Sequence, residues 1–215
     1  MTVTADLERS LRYLLAWAPA VEAAKTTLSQ RAVPDAALHA GTLSFEARTR
    51  FGTMIGSTTN IIGALVGAPD HSMARGWVEV PVATLATGST RVDRYVRRAL
   101  DADRHSSIQF ALRGATVVSV SLGNRDVTSV LLQGVLTIRG VSRRVEVPAT
   151  ITRSASITRV TSRFPLHLPD YGVTRLTSFL GLLHVQPRVE VRVNLWFIDR
   201  LLAFTDDAPE AARQE

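Results

Sequence analysis

Between residues 130 and 152 the chain sorts itself into two faces. Val130, Leu132, Gly134, Leu136 and Ile138 alternate with Leu131, Gln133, Val135, Thr137 and Arg139. Beyond "GVSRR" the odd positions Val145, Val147, Ala149 and Ile151 are apolar, against Arg144, Glu146, Pro148, Thr150 and Thr152. A period of two sends successive side chains to opposite sides of a strand. This stretch therefore predicts two long strands that share one apolar face.

The same period begins near residue 43 and runs almost to the end. Leu43, Phe45, Ala47 and Phe51 are set against Ser44, Glu46, Arg48 and Arg50, and Val78, Val80 and Val82 against Trp77, Glu79 and Pro81. Ile108, Phe110 and Leu112 precede a weakly patterned "ATVVSVSL". Val160, Phe164, Leu166 and Leu168 follow later, then Val189, Val191, Val193 and Leu195. The glycine-spaced "TMIGSTTNIIGALVG" suits a sharply bent strand. Connections such as "RGA", "GNRD" and "RGVSRR" are short, which predicts an antiparallel meander of eight or nine strands. One stretch departs. In "VDRYVRRALDA", residues 92–102, Val92, Val96, Ala99 and Leu100 fall on one helical side and predict a short helix between strands.

Residues 1–37 follow a helical period instead, with Leu7, Leu11, Leu14, Leu15, Ala18 and Val21 on one side. Thr4 or Asp6 can cap its start, Pro19 interrupts it, and "RAVPDAALHAG" reads as a linker. The expected organisation is a helical N-terminal extension at 1–37, a β domain at 38–200 and a polar, disordered tail at 201–215. Every strand in the β domain offers one apolar face, and no long helix there can cover it. Two packed sheets or a closed barrel would bury those faces. An eight-stranded barrel either fills its interior with side chains or holds one small ligand, and alternation does not choose between the two.

Composition narrows the function classes. An apolar fraction of 46% with 20% charged residues is that of a globular protein. The net charge of +6 is carried by arginine, with Lys25 the single lysine. Most arginines fall on the polar side of the alternation, as a solvated coat would, and no nucleic-acid-binding motif accompanies them. "RVDRYVRR" and "RGVSRR" are denser and can meet phosphate or an anionic bilayer. No apolar run approaches the length of a membrane helix. "YLLAWAPAV" follows Asp6 and Glu8 and contains Pro19, unlike an export signal, so a cytoplasmic location is expected. The absence of cysteine excludes disulfides and thiolate chemistry. His39, His71, His105, His167 and His184 form no metal-binding pair, and neither a P-loop nor a nucleophile elbow is present. The motifs supply no metal, cofactor or catalytic group.

Four motifs in order resemble the YceI-like proteins. "GVLTIRGVSRRVEVPATIT" is similar to the signature hairpin of that family. Upstream, "VEVPVATLATGSTRVDRYVRRALDADRHSSIQFAL" resembles its strand, Thr-Gly, Asp-containing helix and Ile-x-Phe strand. Downstream, "LHLPDYGV" and "VQPRVEVRVNLWF" are similar to its Asp-Phe-Gly element and its closing strand. The resemblance covers roughly residues 43–197. It implies an extended eight-stranded antiparallel, lipocalin-like barrel that holds a polyisoprenoid, a prenyl quinone or a similar long lipid without catalysis. There are departures. The family's Arg-Asp-x-His run stands here as "VDRYV", which keeps Asp93 but has Val92 and Tyr95 in place of Arg and His.

Chosen by face, the candidate lining is Phe45, Val78, Val80, Val82, Ile108, Phe110, Leu112, Leu132, Gly134, Leu136, Ile138, Val145, Val147, Ala149, Phe164, Leu166, Val191, Val193 and Leu195. Gly134 and Ala149 would leave room beside the larger side chains. In the turn-like "PDYGV", the Asp170 side chain is expected to bond local backbone amides. An enzyme using the same chamber would need a polar inward group; Thr49, Asn60 and His167 are the candidates, and no carboxylate falls on an apolar strand face. A non-lipid scaffold, a homodimer formed through the N-terminal segment and peripheral membrane contact stay open as alternatives.

Overall fold

The computed structural model describes residues 36–66, 74–121, 126–154, 156–174, 177–178 and 183–199. The helical reading of the N-terminal segment and the tail reading of 201–215 lie outside the described residues. The strands are β1 (Ala36–Thr49), β2 (Gly52–Thr58), β3 (Ile62–Val66), β4 (Arg75–Pro81), β5 (Ser107–Ser121), β6 (Asp126–Ile138), β7 (Val141–Ser154), β8 (Ile157–His167), β9 (Thr177–Ser178) and β10 (Leu183–Asp199). Helix α1 spans Thr90–Ala99, and 3-10 turns occupy Val82–Thr84 and Leu168–Tyr171. The first strand already includes Ala36–Gly41, which the sequence assigned to a linker.

All pairings are antiparallel. From β3 to β8 each strand pairs with the next, and β10 closes the ring by pairing with both β8 and β1. The free flank of β1 is shared: β2 covers Leu43–Thr49, and β3 meets Ala36 and Ala37. The glycine-spaced stretch is therefore one strand position broken at residues 59–61. Counted that way, the described residues form a closed barrel of eight strands with one helix, and β9 is a two-residue addition to β10. Closure leaves one face of every strand turned inward, where the period of two requires the apolar residues to go.

Three local readings change. "RGA" is no connection: β5 runs straight through it, with register shifts between Leu112 and Gly114 and between Val117 and Ser119. An extra residue resets the alternation, so Leu112 and Ala115 both reach the interior although they differ in parity. The β6–β7 turn needs only Arg139 and Gly140, with φ of 52° and 74°, the two positive values of a type I′ hairpin. Ser142, Arg143 and Arg144 already belong to β7. Val82 leaves the strand pattern and opens the 3-10 turn after β4.

The two ends of the barrel differ. At one end lie α1, both 3-10 turns and the β6–β7 turn. Leu85, Val96, Leu100, Tyr171, Val173 and Val185 form a buried cluster there, and an Arg139 Nη1 donates to the Gly172 carbonyl, tying the hairpin to the second 3-10 turn. Val92, Val96, Ala99 and Leu100 turn toward that cluster, whereas Arg91, Arg94, Arg97 and Arg98 face solvent. At the other end the strands stop at Ala36, Val66, Arg75, Ser121, Asp126, Ser154, Ile157 and Asp199, and no described element crosses the opening. No helix among the described residues is long and apolar enough to cross a membrane.

Candidate ligand-binding lumen

The barrel is hollow. A cavity of about 800 Å³ runs through its interior, near the top of the range of about 300–1,000 Å³ found for small-molecule pockets. From Val185 to Asp199 its wall on β10 spans fourteen residue steps, about 46 Å at ~3.3 Å per residue. A strand tilt of ~40° leaves about 35 Å along the barrel axis. Averaged over that length the bore is about 5 Å across, room for one hydrocarbon chain at the usual carbon contact distance of ~3.5–4.0 Å.

Of the residues chosen by face, Phe45, Val78, Val80, Ile108, Phe110, Leu112, Leu132, Leu136, Ile138, Val147, Phe164, Leu166, Val191, Val193 and Leu195 line this cavity. Four others lie outside its wall. Val82 is fully buried under the helix end, Val145 packs against the same core, and Ala149 is enclosed in a small cluster with Ala115 and Val130. Gly134 is inward-facing, but its room is taken: a Cβ there would lie 2.5 Å from Phe110 Cζ and 2.6 Å from the Ala111 carbonyl oxygen. The cross-strand ring covers the glycine. Gly134→Leu is therefore expected to destabilise the barrel by about 1–3 kcal/mol, as overpacking does, measurable by urea denaturation.

Alternation also passed over residues that the structure places in the wall. Met54, Ile61, Leu65 and Trp77 come from the broken strand and β4, while Tyr95, Val96 and Ala99 of α1 and Leu100 just after it close the helix end. Toward the open end the wall turns polar, with Arg153 on β7, Thr158 on β8 and Asp199 on β10. Their parity was legible, since Arg153 continues Val147 and Ile151, and Asp199 continues Leu195 and Phe197. Asp199 thus overturns the reading that no carboxylate lies on an apolar strand face.

The polar groups proposed for a reaction chamber are elsewhere. Thr49 ends β1, where its Oγ1 donates to the Gly52 carbonyl at 2.8 Å and accepts from the Phe51 amide at 3.2 Å. Asn60 is exposed in the strand break. His167 points outward, its Nδ1 3.0 Å from Asp170 Oδ1, so the Asp170 carboxylate meets this imidazole rather than backbone amides. Tyr95 and Tyr171 are phenols held neutral: burial raises both, and Tyr171, with Asp170 adding to the effect, reaches about 12. Among the described residues no group of acids and histidines is placed to hold a metal ion.

Asp93, kept from the family's helix motif, has a structural task. Its Oδ1 accepts the Thr87 amide at 2.7 Å and the Thr87 hydroxyl at 2.6 Å, while Ser89, which precedes the helix, makes no side-chain cap. The Thr87 hydroxyl first, then its amide, and more weakly Arg97 hold this carboxyl below the ordinary 3.8 of an aspartate. A depressed folded value means stability present above that ordinary range and lost as pH falls through the folded value. Asp93→Asn should therefore lower the denaturation midpoint at pH 7, and the gap from the parent should close in acid below pH ~4.

Comparison with known proteins follows the same lines. The chain is similar to a polyisoprenoid binding domain from Saccharophagus degradans implicated in plant cell wall breakdown, at 14% identity and a TM-score of 0.64, over 78% of this chain and 99% of that one. It is also similar to BcnA of Burkholderia cenocepacia, at 17% identity and a TM-score of 0.61, over 73% and 95%. At these identities the likeness is one of fold. No curated protein matches the chain. The model of the YceI-like domain matches residues 24–197, which take in the whole barrel up to Phe197, and this protein accordingly belongs to the YceI-like family.

Proposed function

We propose that this protein binds a single long isoprenoid-type lipid in the barrel lumen and stores or carries it without catalysis. The observation that carries the reading is the hollow, almost wholly apolar bore, one chain wide and crossed at one end by no described element. Each five-carbon isoprene unit taken out of water contributes roughly 3–4 kcal/mol at about 0.8 kcal/mol per carbon. Several units outweigh the cost of ordering the ligand. The wall is apolar under α1 and polar near Arg153, Thr158 and Asp199, so the tail enters first and the head group stays at the opening. A prenyl quinone or prenyl phosphate has this form. The polyisoprenoid-binding domain of Saccharophagus degradans, with the same fold, supports the ligand class.

Gentle purification followed by solvent extraction and mass spectrometry tests the reading. An isoprenoid at near one equivalent is expected. Protein that carries none, and that takes up no fluorescent prenyl probe, would oppose it.

A further inference from the structure

The open end of the barrel has a surface that lumen binding alone leaves unexplained. Val117, Val118 and Val120 at the end of β5 and Ile157 at the start of β8 are all exposed there, Val118 to 69% and Val120 to 56%. Bulky aliphatic side chains are not normally concentrated in solvent at one rim. The strand carrying the valines is also an edge: β4 pairs with β5 only as far as Leu112, and among the described strands Gly114–Ser121 is paired on the β6 side alone. Such an edge is usually covered or charged. Among the described residues it carries neither cover nor charge.

Around the same opening stand guanidinium groups, with the Asp199 carboxylate beside them. Arg75 begins β4, its Nη1 bonded to the Ala74 carbonyl. Arg159 on β8 donates from Nε to Asn194 Oδ1 and lies 5.2 Å over the Trp196 ring, which holds the guanidinium in place at the rim. Neither forms an ion pair among the described residues. Positive groups beside exposed aliphatics have one natural counterpart, a surface with anionic groups above a hydrocarbon layer.

We infer that the open end docks on an anionic lipid bilayer. Val118, Val120 and Ile157 enter the boundary between head groups and acyl chains, and Arg75 and Arg159 meet lipid phosphates. The choice of a bilayer over an acidic protein rests on the lumen reading above, because the surface borders the opening through which a membrane lipid would pass. The opposite end carries more cations, Arg91, Arg94, Arg97 and Arg98 on α1, yet the solvent side of that helix has no exposed aliphatic residue. Phe51 stands on the separate β1–β2 turn.

The test uses the full chain and sedimentation with vesicles of phosphatidylcholine, with or without one-quarter phosphatidylglycerol. Binding is expected to the anionic vesicles and to weaken with added salt. The double variant V118D/V120D should lose about tenfold or more in vesicle affinity, and R75Q/R159Q severalfold. F51S and R94Q/R98Q should bind as the parent does. Prenyl probe delivered from cyclodextrin, without vesicles, should still load V118D/V120D. Vesicle binding indifferent to the valine and rim arginine variants overturns the proposal, and so does binding abolished by F51S or R94Q/R98Q. A dimer in solution that V118D/V120D dissociates, with no vesicle binding, would assign the edge to a second copy instead. If even the parent takes no probe from cyclodextrin, the lumen reading fails while the vesicle result still decides docking.

Discussion

Replacing Val193 with phenylalanine is expected to lower prenyl-chain affinity about a hundredfold while the barrel stays folded. Val193 lies midway along β10, with Leu43 of β1 and Ser162 of β8 as its register partners and Ala149 of β7 opposite Ser162. Its side chain lines the cavity, is only partly buried, and packs against both the main core and the cluster around Phe197. A ring at this point closes a bore one chain wide and shortens the usable length by at least one isoprene unit. Losing one unit costs roughly 3–4 kcal/mol of burial, which is more than two decades of affinity. The lipid-free variant should melt no lower than the parent by more than a few degrees, because the added ring fills space rather than opening it. Titration with a fluorescent prenyl probe, with circular dichroism as the control for folding, makes the comparison. Parent-like affinity in a folded variant would mean that the lumen is not the binding path.

Phe197→Ala should be the most destabilising single truncation of the barrel wall. Phe197 is 1% exposed and caps a cluster with Ala36 and Leu195, between Leu38 of β1 and Thr158 of β8. Removing a buried phenylalanine side chain costs about 3–5 kcal/mol through lost transfer energy and the cavity left behind. In a chain of this size that is a fall of roughly 6–20 °C in Tm. The vacated space is continuous with the lumen, so bound lipid should recover part of the loss, and the melting difference should narrow when both proteins are loaded. Phe51→Ala, at 72% exposure, should change stability by no more than ~0.5 kcal/mol. Equal effects for the two phenylalanines would contradict the assignment of inner and outer faces.

The alternation revealed the strands and their inner faces, because a two-residue period records one buried and one outer side directly, while the resemblance supplied the choice of a closed barrel over two packed sheets. It failed where geometry breaks the period. The bulges in β5 place Leu112 and Ala115 on the same side, so "RGA" looked like a turn. Val82 kept strand parity after its strand had ended. Gly134 was read as empty space, although a glycine face is open only if no neighbour fills it, and Phe110 does. Thr49 shows the same error at a strand end: its parity points inward, but the chain has begun to turn. The polar opening was missed for a different reason. Arg153, Thr158 and Asp199 continue the inward parity, yet a lining chosen by hydrophobicity excludes them. Which interior stays hollow is a matter of summed side-chain volume across eight strands, and no single strand carries it.

The most direct test of the central claim is a titration of delipidated protein with prenols of increasing length. Affinity is expected to rise by at least tenfold per isoprene unit while the chain is shorter than the lumen and to level off once the bore of about 35 Å is full. No binding at any length, or an affinity indifferent to length, would contradict a lumen that holds an extended isoprenoid.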